Sequence, residues 1–197
     1  MFKISKCKDI FTLSFWRSGW KRIVLIASAV AISILFIVLL INGQRDIGSQ
    51  EAGKQIYCLS QNIRRSYQVR PDFWGLSTRS VIQQKIYPSD MLVDNDNLIG
   101  YFGNNVEVGA DINGSPVMPT SKRFIIAYKN LIKPQCVRLI SSKFNQEFWF
   151  GIGKVSLINN QRVYDFSWSG SENVLPVSKS KAKELCLDSN NIVFHFE

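Results

Sequence analysis

From Ile23 to Ile41 the chain runs nineteen residues without a charge, and no other stretch constrains the fold as much. At about 1.5 Å per residue it makes a helix roughly 28 Å long, close to the hydrocarbon thickness of a bilayer. A secretory signal is the rival reading. Its apolar stretch is usually about 7 to 15 residues and ends at a small-residue cleavage site, and Ile41-Asn42-Gly43-Gln44 makes a poor one. Length and flanks favour a single membrane span bounded by Ile23 and Ile41. Lys3, Lys6, Lys8, Arg17, Lys21 and Arg22 precede it against one acid, Asp9, whereas Arg45, Asp46 and Glu51 follow it without an excess of base. That bias predicts a cytoplasmic N-terminus and an exported remainder, with Arg17, Lys21 and Arg22 as orienting, interfacial residues.

The first 22 residues hold +5 of the formal charge of +9, and beyond them eighteen basic residues meet fourteen acidic ones. The basic balance is therefore mainly a topology signal, and no nucleic-acid partner is predicted. Cysteines divide in the same way: Cys7 falls on the cytoplasmic side, and Cys58, Cys136 and Cys186 on the exported side, where an oxidising compartment is expected.

Past the span, Ile47, Ile56, Leu59 and Ile63 fall on one helical face, and no proline intervenes before Pro71. The spacing predicts one helix from about Lys21 to Tyr67, apolar first and amphipathic after. A break at Asn42-Gly43, a dipeptide that often marks turns, is the alternative. From Pro71 onward short apolar runs alternate with turn residues. Val106 and Val108 lead to Asn113-Gly114, which suits a hairpin or tight loop. Phe124, Ile126 and Tyr128 alternate on one face, two more strands flank Asn159-Asn160, and Ile192, Phe194 and Phe196 line a last one. Between them Pro134 opens a helix that turns Cys136, Leu139 and Ile140 inward, and Ser178 caps a second that ends near Cys186. The organisation predicted is a basic tail at 1–22, a span at 23–41 continuing as a stalk helix to about residue 67, and an α+β head at 68–197.

Chemistry finds little support. The one histidine, His195, sits in the terminal strand with no metal-ligand spacing or nucleophile motif around it, and it reads as a sheet-surface residue. Asp90, Asp94, Asp96 and Asp111 do not keep the alternating pattern of a calcium loop and read as turn formers. No catalytic residue, metal or cofactor is expected. The aromatics Phe73-Trp74, Tyr101-Phe102, Phe148-Trp149-Phe150 and Phe166-Ser167-Trp168 are expected mostly in the core, with some open as a contact patch.

The order of features resembles the type IVb pilins. A long N-terminal helix is followed by "YQVRPDFWGLSTRSVIQQKIYPSDML", "GYFGNNVEV", "RFIIAYKNLIKPQCVRLI" and "SKAKELCLDSNNIVFHF", matching a stalk, a loop reaching a Pro-Ser-Asp step, a glycine-rich turn into a strand, a helix with the first cysteine, and a second cysteine before the last strand. The resemblance implies a stalk helix packed on an antiparallel sheet, a disulfide between Cys136 and Cys186, and assembly with other pilin or apparatus subunits through the N-terminal helix. It also implies an inner-membrane anchor with a periplasmic head, and a prepilin peptidase junction at Gly19, followed by Trp20. Two features depart from the pattern. Lys21 and Arg22 interrupt the apolar start, and Val24 stands where major pilins carry glutamate, which points to a minor or accessory subunit. A permanently anchored component of a secretion or conjugation apparatus is the alternative. Cys58 is left odd, as a small apolar residue on the stalk or an intermolecular partner.

Overall fold

The computed structural model describes residues 10–111, 122–142, 151–160, 162–169 and 174–197; in the first helix the side chains of residues 10–22, 25 and 38–47 lie outside that set. The expected turn at Asn113-Gly114, the Phe148-Trp149-Phe150 run, Cys7 and the side chains of Arg17, Trp20, Lys21, Arg22, Ile41 and Ile47 therefore lie outside the described residues. The chain divides into two units, Met1–Gln44 and Arg45–Glu197.

Helix α1 runs Ile10–Tyr67, passing through Asn42-Gly43 without interruption and beginning earlier than Lys21. Nothing between Ile10 and Lys21 is a strong helix breaker except Gly19, and a single interior glycine costs only about 1 kcal/mol. In the first unit the described large apolar side chains from Ile23 to Ile37 are 53–67% exposed. Among the described residues no helix is long and apolar enough to cross a membrane; the run expected to do so includes residues 25 and 38–41, outside that set.

The second unit is a seven-stranded sheet packed on the C-terminal part of α1. Its strands are β1 (Leu92–Asp94), β2 (Asn97–Ile99), β3 (Asn105–Ala110), β4 (Phe124–Leu131), β5 (Ile152–Asn159), β6 (Arg162–Ser167) and β7 (Asn190–Phe196), in the order β1-β2-β3-β4-β7-β5-β6 with every pair antiparallel. The last strand thus lies in the middle. Period-two alternation builds two continuous rows across four strands and a fifth: Val106, Tyr128, Ile192, Leu157 and Tyr164 in one, Val108, Ile126, Phe194, Val155 and Phe166 in the next. A third contact, Phe124 stacked on Phe196 with centroids 4.8 Å apart, closes the end of this face. Ala52, Ile56, Leu59, Ile63 and Tyr67, spaced three or four apart on α1, bury against it in one core.

Among the described residues, three short helices accompany the sheet. In α2 (Thr78–Gln83) Ser77 and Ser80 cap one another's backbone amides, and Val81 enters the core. Lys133–Ile140 forms α3, with Pro134 in its first turn and Cys136, Leu139 and Ile140 buried, as the pattern predicts. Lys179–Leu185 forms α4, capped by Ser178 and ending at Cys186. The β1–β2 and β5–β6 hairpins follow their turn chemistry. At the β1–β2 turn Asn95 and Asp96 take φ of 50° and 70°, and Asn160 takes 32° after β5.

Candidate functional site

The side chains that matter divide into a seam between α1 and the head, a disulfide-closed subdomain, and a polar chain on the outer face of the sheet. At the seam, Gln55 is buried, yet both ends of its amide are used. Its Nε2 donates to the Asp90 carbonyl at 3.1 Å, and its Oε1 accepts from the Tyr101 backbone N–H at 2.7 Å. One side chain thereby pins the Pro88-Ser89-Asp90 step and the glycine-rich turn after β2 to the helix, because releasing a buried amide unpaired would be costly.

Gly48 approaches the Tyr101 ring in the same region. Further along, the Arg64 guanidinium lies 5.7 Å from the Phe124 ring centroid and donates to the Glu197 carbonyl. It fills the space where a side chain on Gly151 would stand, and Gly151 itself holds φ of +78°. Burial holds the Arg64 pKa below its ordinary value.

Cys136 on α3 and Cys186 at the end of α4 are joined, with Cα atoms 6.0 Å apart and both sulfurs buried, as the resemblance implies. Asn190 seals the same region. Its Nδ2 donates to the carbonyls of Leu131 and Leu187, and its Oδ1 accepts from the Leu187 N–H, so the end of β4, the exit from α4 and the start of β7 share one satisfied amide.

On the face away from α1, His195 is hydrogen-bonded at both ring nitrogens. Nδ1 lies 3.0 Å from Asp111 Oδ2, and Nε2 lies 2.9 Å from Ser156 Oγ. Ser156 in turn donates to Asp165 Oδ1 at 2.6 Å, and Lys154 Nζ stands 3.4 Å from Asp165 Oδ2. Burial raises the Asp165 pKa, but the Ser156 hydrogen bond, the Lys154 charge and hydrogen bond, and the His195 ring outweigh it, and the net direction is down. The Asp–His–Ser order resembles a nucleophile triad, yet the surroundings do not suit one. Ser156 is only 4% exposed, it lies on a strand flanked on both sides by others, and its hydroxyl is already engaged by a carboxylate. Among the described residues no group of three or more potential metal ligands occurs.

The predicted residues are thus dispersed. Ile56, Leu59 and Ile63 do face the core. Asp94 and Asp96 do form a turn, whereas Asp111 ties down His195, which is more than a sheet-surface residue. The aromatic clusters split: Phe73 packs on Phe124 and Tyr67 while Trp74 is exposed, Phe102 packs on the core while Tyr101 is half-exposed, and Phe166 is buried while Trp168 donates to the Ile152 carbonyl from a half-exposed position. Cys58 is free and half-buried. Gly19 falls within α1. Gln55, Arg64 and Asn190 went unforeseen because each pairs with backbone groups far away in sequence.

No protein-family model and no curated protein matches the chain. Solved structures of type IV pilins are similar, two of them as follows. TcpA, a type IV pilin from Vibrio cholerae El Tor biotype, is 10% identical with a TM-score of 0.54, over 76% of this chain and 99% of its own. The type IVb pilin from Salmonella typhi is 16% identical with a TM-score of 0.49, over 75% and 97%. At such identity the likeness to TcpA speaks for architecture, and with the α1 packing, the antiparallel sheet and the joined Cys136 and Cys186 it gives the conclusion that this chain has the type IV pilin fold.

Proposed function

We propose that the chain is a membrane-anchored, type IVb pilin-like subunit of a Gram-negative envelope, held in the inner membrane by Ile23 to Ile41 with its head in the periplasm. It works by assembly with other pilin or apparatus subunits. The observation that carries this reading is the likeness to TcpA, which extends over 99% of that pilin. The exposed apolar side chains between Ile23 and Ile37 support it, because such a surface suits lipid before assembly and the helices of neighbouring subunits after it. Val24, in place of the glutamate of major pilins, favours a minor or accessory subunit that primes or modifies a filament. In this reading the prepilin peptidase cuts between Gly19 and Trp20.

The test is to tag the head and follow its mass and location, in sheared filaments and in membranes, with and without the prepilin peptidase. Recovery with other pilins, at a mass lowered by the peptidase, is the expected result. A mass indifferent to the peptidase and no pilin at all in the purified material overturn the filament role.

The second reading, a permanently anchored component of a secretion or conjugation apparatus, is favoured by Lys21 and Arg22. These charges would be costly inside a filament core but suit a membrane interface. Retention of Met1 to Gly19 together with recovery alongside apparatus proteins would support it.

A further inference from the structure

The outer-face chain links four strands: Asp111 follows β3, His195 lies on β7, Ser156 on β5 and Asp165 on β6. Counting hydrogens along it gives one answer. An ionised carboxylate only accepts, and a serine hydroxyl has a single proton to give. If the imidazole is neutral with its proton on Nδ1, Nε2 needs the Ser156 proton and the 2.6 Å contact between Ser156 and Asp165 holds none. If the proton is on Nε2, Ser156 satisfies Asp165, but the Nδ1 lone pair faces the Asp111 carboxylate at 3.0 Å. With both carboxylates ionised, only a ring with both protons fills every link. We infer that His195 is a proton-dependent tie across the outer face of the sheet, complete when its imidazole carries two protons and short of one link when it carries one.

The neighbours of the ring fit this assignment. Among the described residues, the charged groups near it are Asp111 after β3, Arg123 before β4, Lys154 on β5, Asp165 on β6 and Glu197 two residues along from His195 itself. Arg123 pairs with Glu197 at 3.1 Å and Lys154 with Asp165, so each cation beside the ring already has a carboxylate, and Asp111 is the one that meets the imidazole directly. His195 and Asp111 expose only 17% and 18% of their side chains, which shelters the pair from the screening that weakens surface ion pairs. Losing either ring proton breaks one link: the Asp111 contact when the Nδ1 proton leaves, or the Ser156–Asp165 contact when the Nε2 proton leaves and that nitrogen draws on the Ser156 hydroxyl. A periplasm or cell exterior follows the pH of the surroundings, so the tie would make the firmness of the head respond to them. The tie itself does not depend on the proposed function, whereas its response to the surroundings rests on the exported head of that reading.

The chain has one histidine, so its imidazole can be followed without assignment ambiguity. In the full chain in detergent micelles, the ring nitrogens and the backbone amides are recorded by NMR from about pH 5 to about pH 8.5. Both ring nitrogens should be protonated at the acidic end, and the amides of Asp111, Ser156 and Asp165 should move with the same midpoint as the ring. The pH dependence of thermal unfolding of the head should differ between the wild type and His195→Gln. Amides that stay still while the ring titrates, or parallel pH curves for the wild type and His195→Gln, would overturn the inference. The NMR arm decides by itself where the variant does not fold.

Discussion

Opening the Cys136–Cys186 disulfide is the perturbation whose size follows most directly from the structure. The bond closes a loop of 50 residues that contains β5, β6 and α4. On the chain-entropy account, closing a loop of that length stabilises the native state by roughly 4 kcal/mol. For a domain of 150 residues or more, each kcal/mol moves the melting temperature by about 2–4 °C, so the expected fall is roughly 8–16 °C. The assay is near-UV circular dichroism of the full chain in detergent, which reads aromatic packing in the head and not the helicity of α1. Two arms are compared: the wild type with and without a thiol reductant, and Cys136→Ala with Cys186→Ala. The reductant arm isolates the closure, and the alanine arm also removes two buried sulfurs, so it should fall at least as far. A fall under about 3 °C in both arms would refute the reasoning. It would mean that the Asn190 hydrogen bonds and the sheet already hold the loop closed in the states that matter.

Three further outcomes follow from the same packing. Gly100→Ala would place a Cβ 2.7 Å from Tyr128 Cε1 and 2.9 Å from Val106 Cγ2, so urea denaturation should show a loss of about 1–3 kcal/mol, and an unchanged midpoint would contradict the fit. The Tyr128 phenol is pushed above the ordinary range first by burial and then by the Asp90 charge. Stability from keeping it neutral is present below about pH 10 and is lost as the pH rises beyond that, so absorbance near 295 nm should show Tyr128 ionising only with alkaline unfolding, and Tyr128→Phe should unfold at higher pH. Asp165 is shifted the other way, so what it contributes is present above the ordinary carboxylate range and is lost as acid protonates it. Asp165→Asn should flatten the acid limb of the melting curve, and an unaltered limb would remove Asp165 from the chain of contacts.

Much of this architecture could be read along the sequence because it is written in local patterns. Period-two runs such as Phe124, Ile126 and Tyr128 put their large side chains on one face, and they became the core-facing rows of the sheet. Proline at the first turn of α3 and serine before α4 marked helix starts for a reason that involves only the neighbouring residues. The β1–β2 hairpin and α2 escaped notice. Three-residue strands carry too few alternations to register, and the caps of α2 are serines on an otherwise polar stretch.

The polar ties were hidden for a different reason. Asp111 and His195 are 84 residues apart and Gln55 and Tyr101 are 46 apart, and no spacing rule predicts which side chains a sheet brings together when its last strand inserts between β4 and β5. Strand order decides those meetings, and it depends on the whole core at once.

In the proposed function the apolar part of α1 packs against the helices of other pilins while the head stands outside the cytoplasm. The most direct measurement places a photo-cross-linking amino acid at Ile32, which is 67% exposed, and irradiates cells that are making filaments. The expected result is an adduct with the N-terminal helix of another pilin-like subunit, and a head that external protease reaches in intact spheroplasts. A head protected in spheroplasts, or a chain whose Ile32 never couples to any pilin, would contradict it.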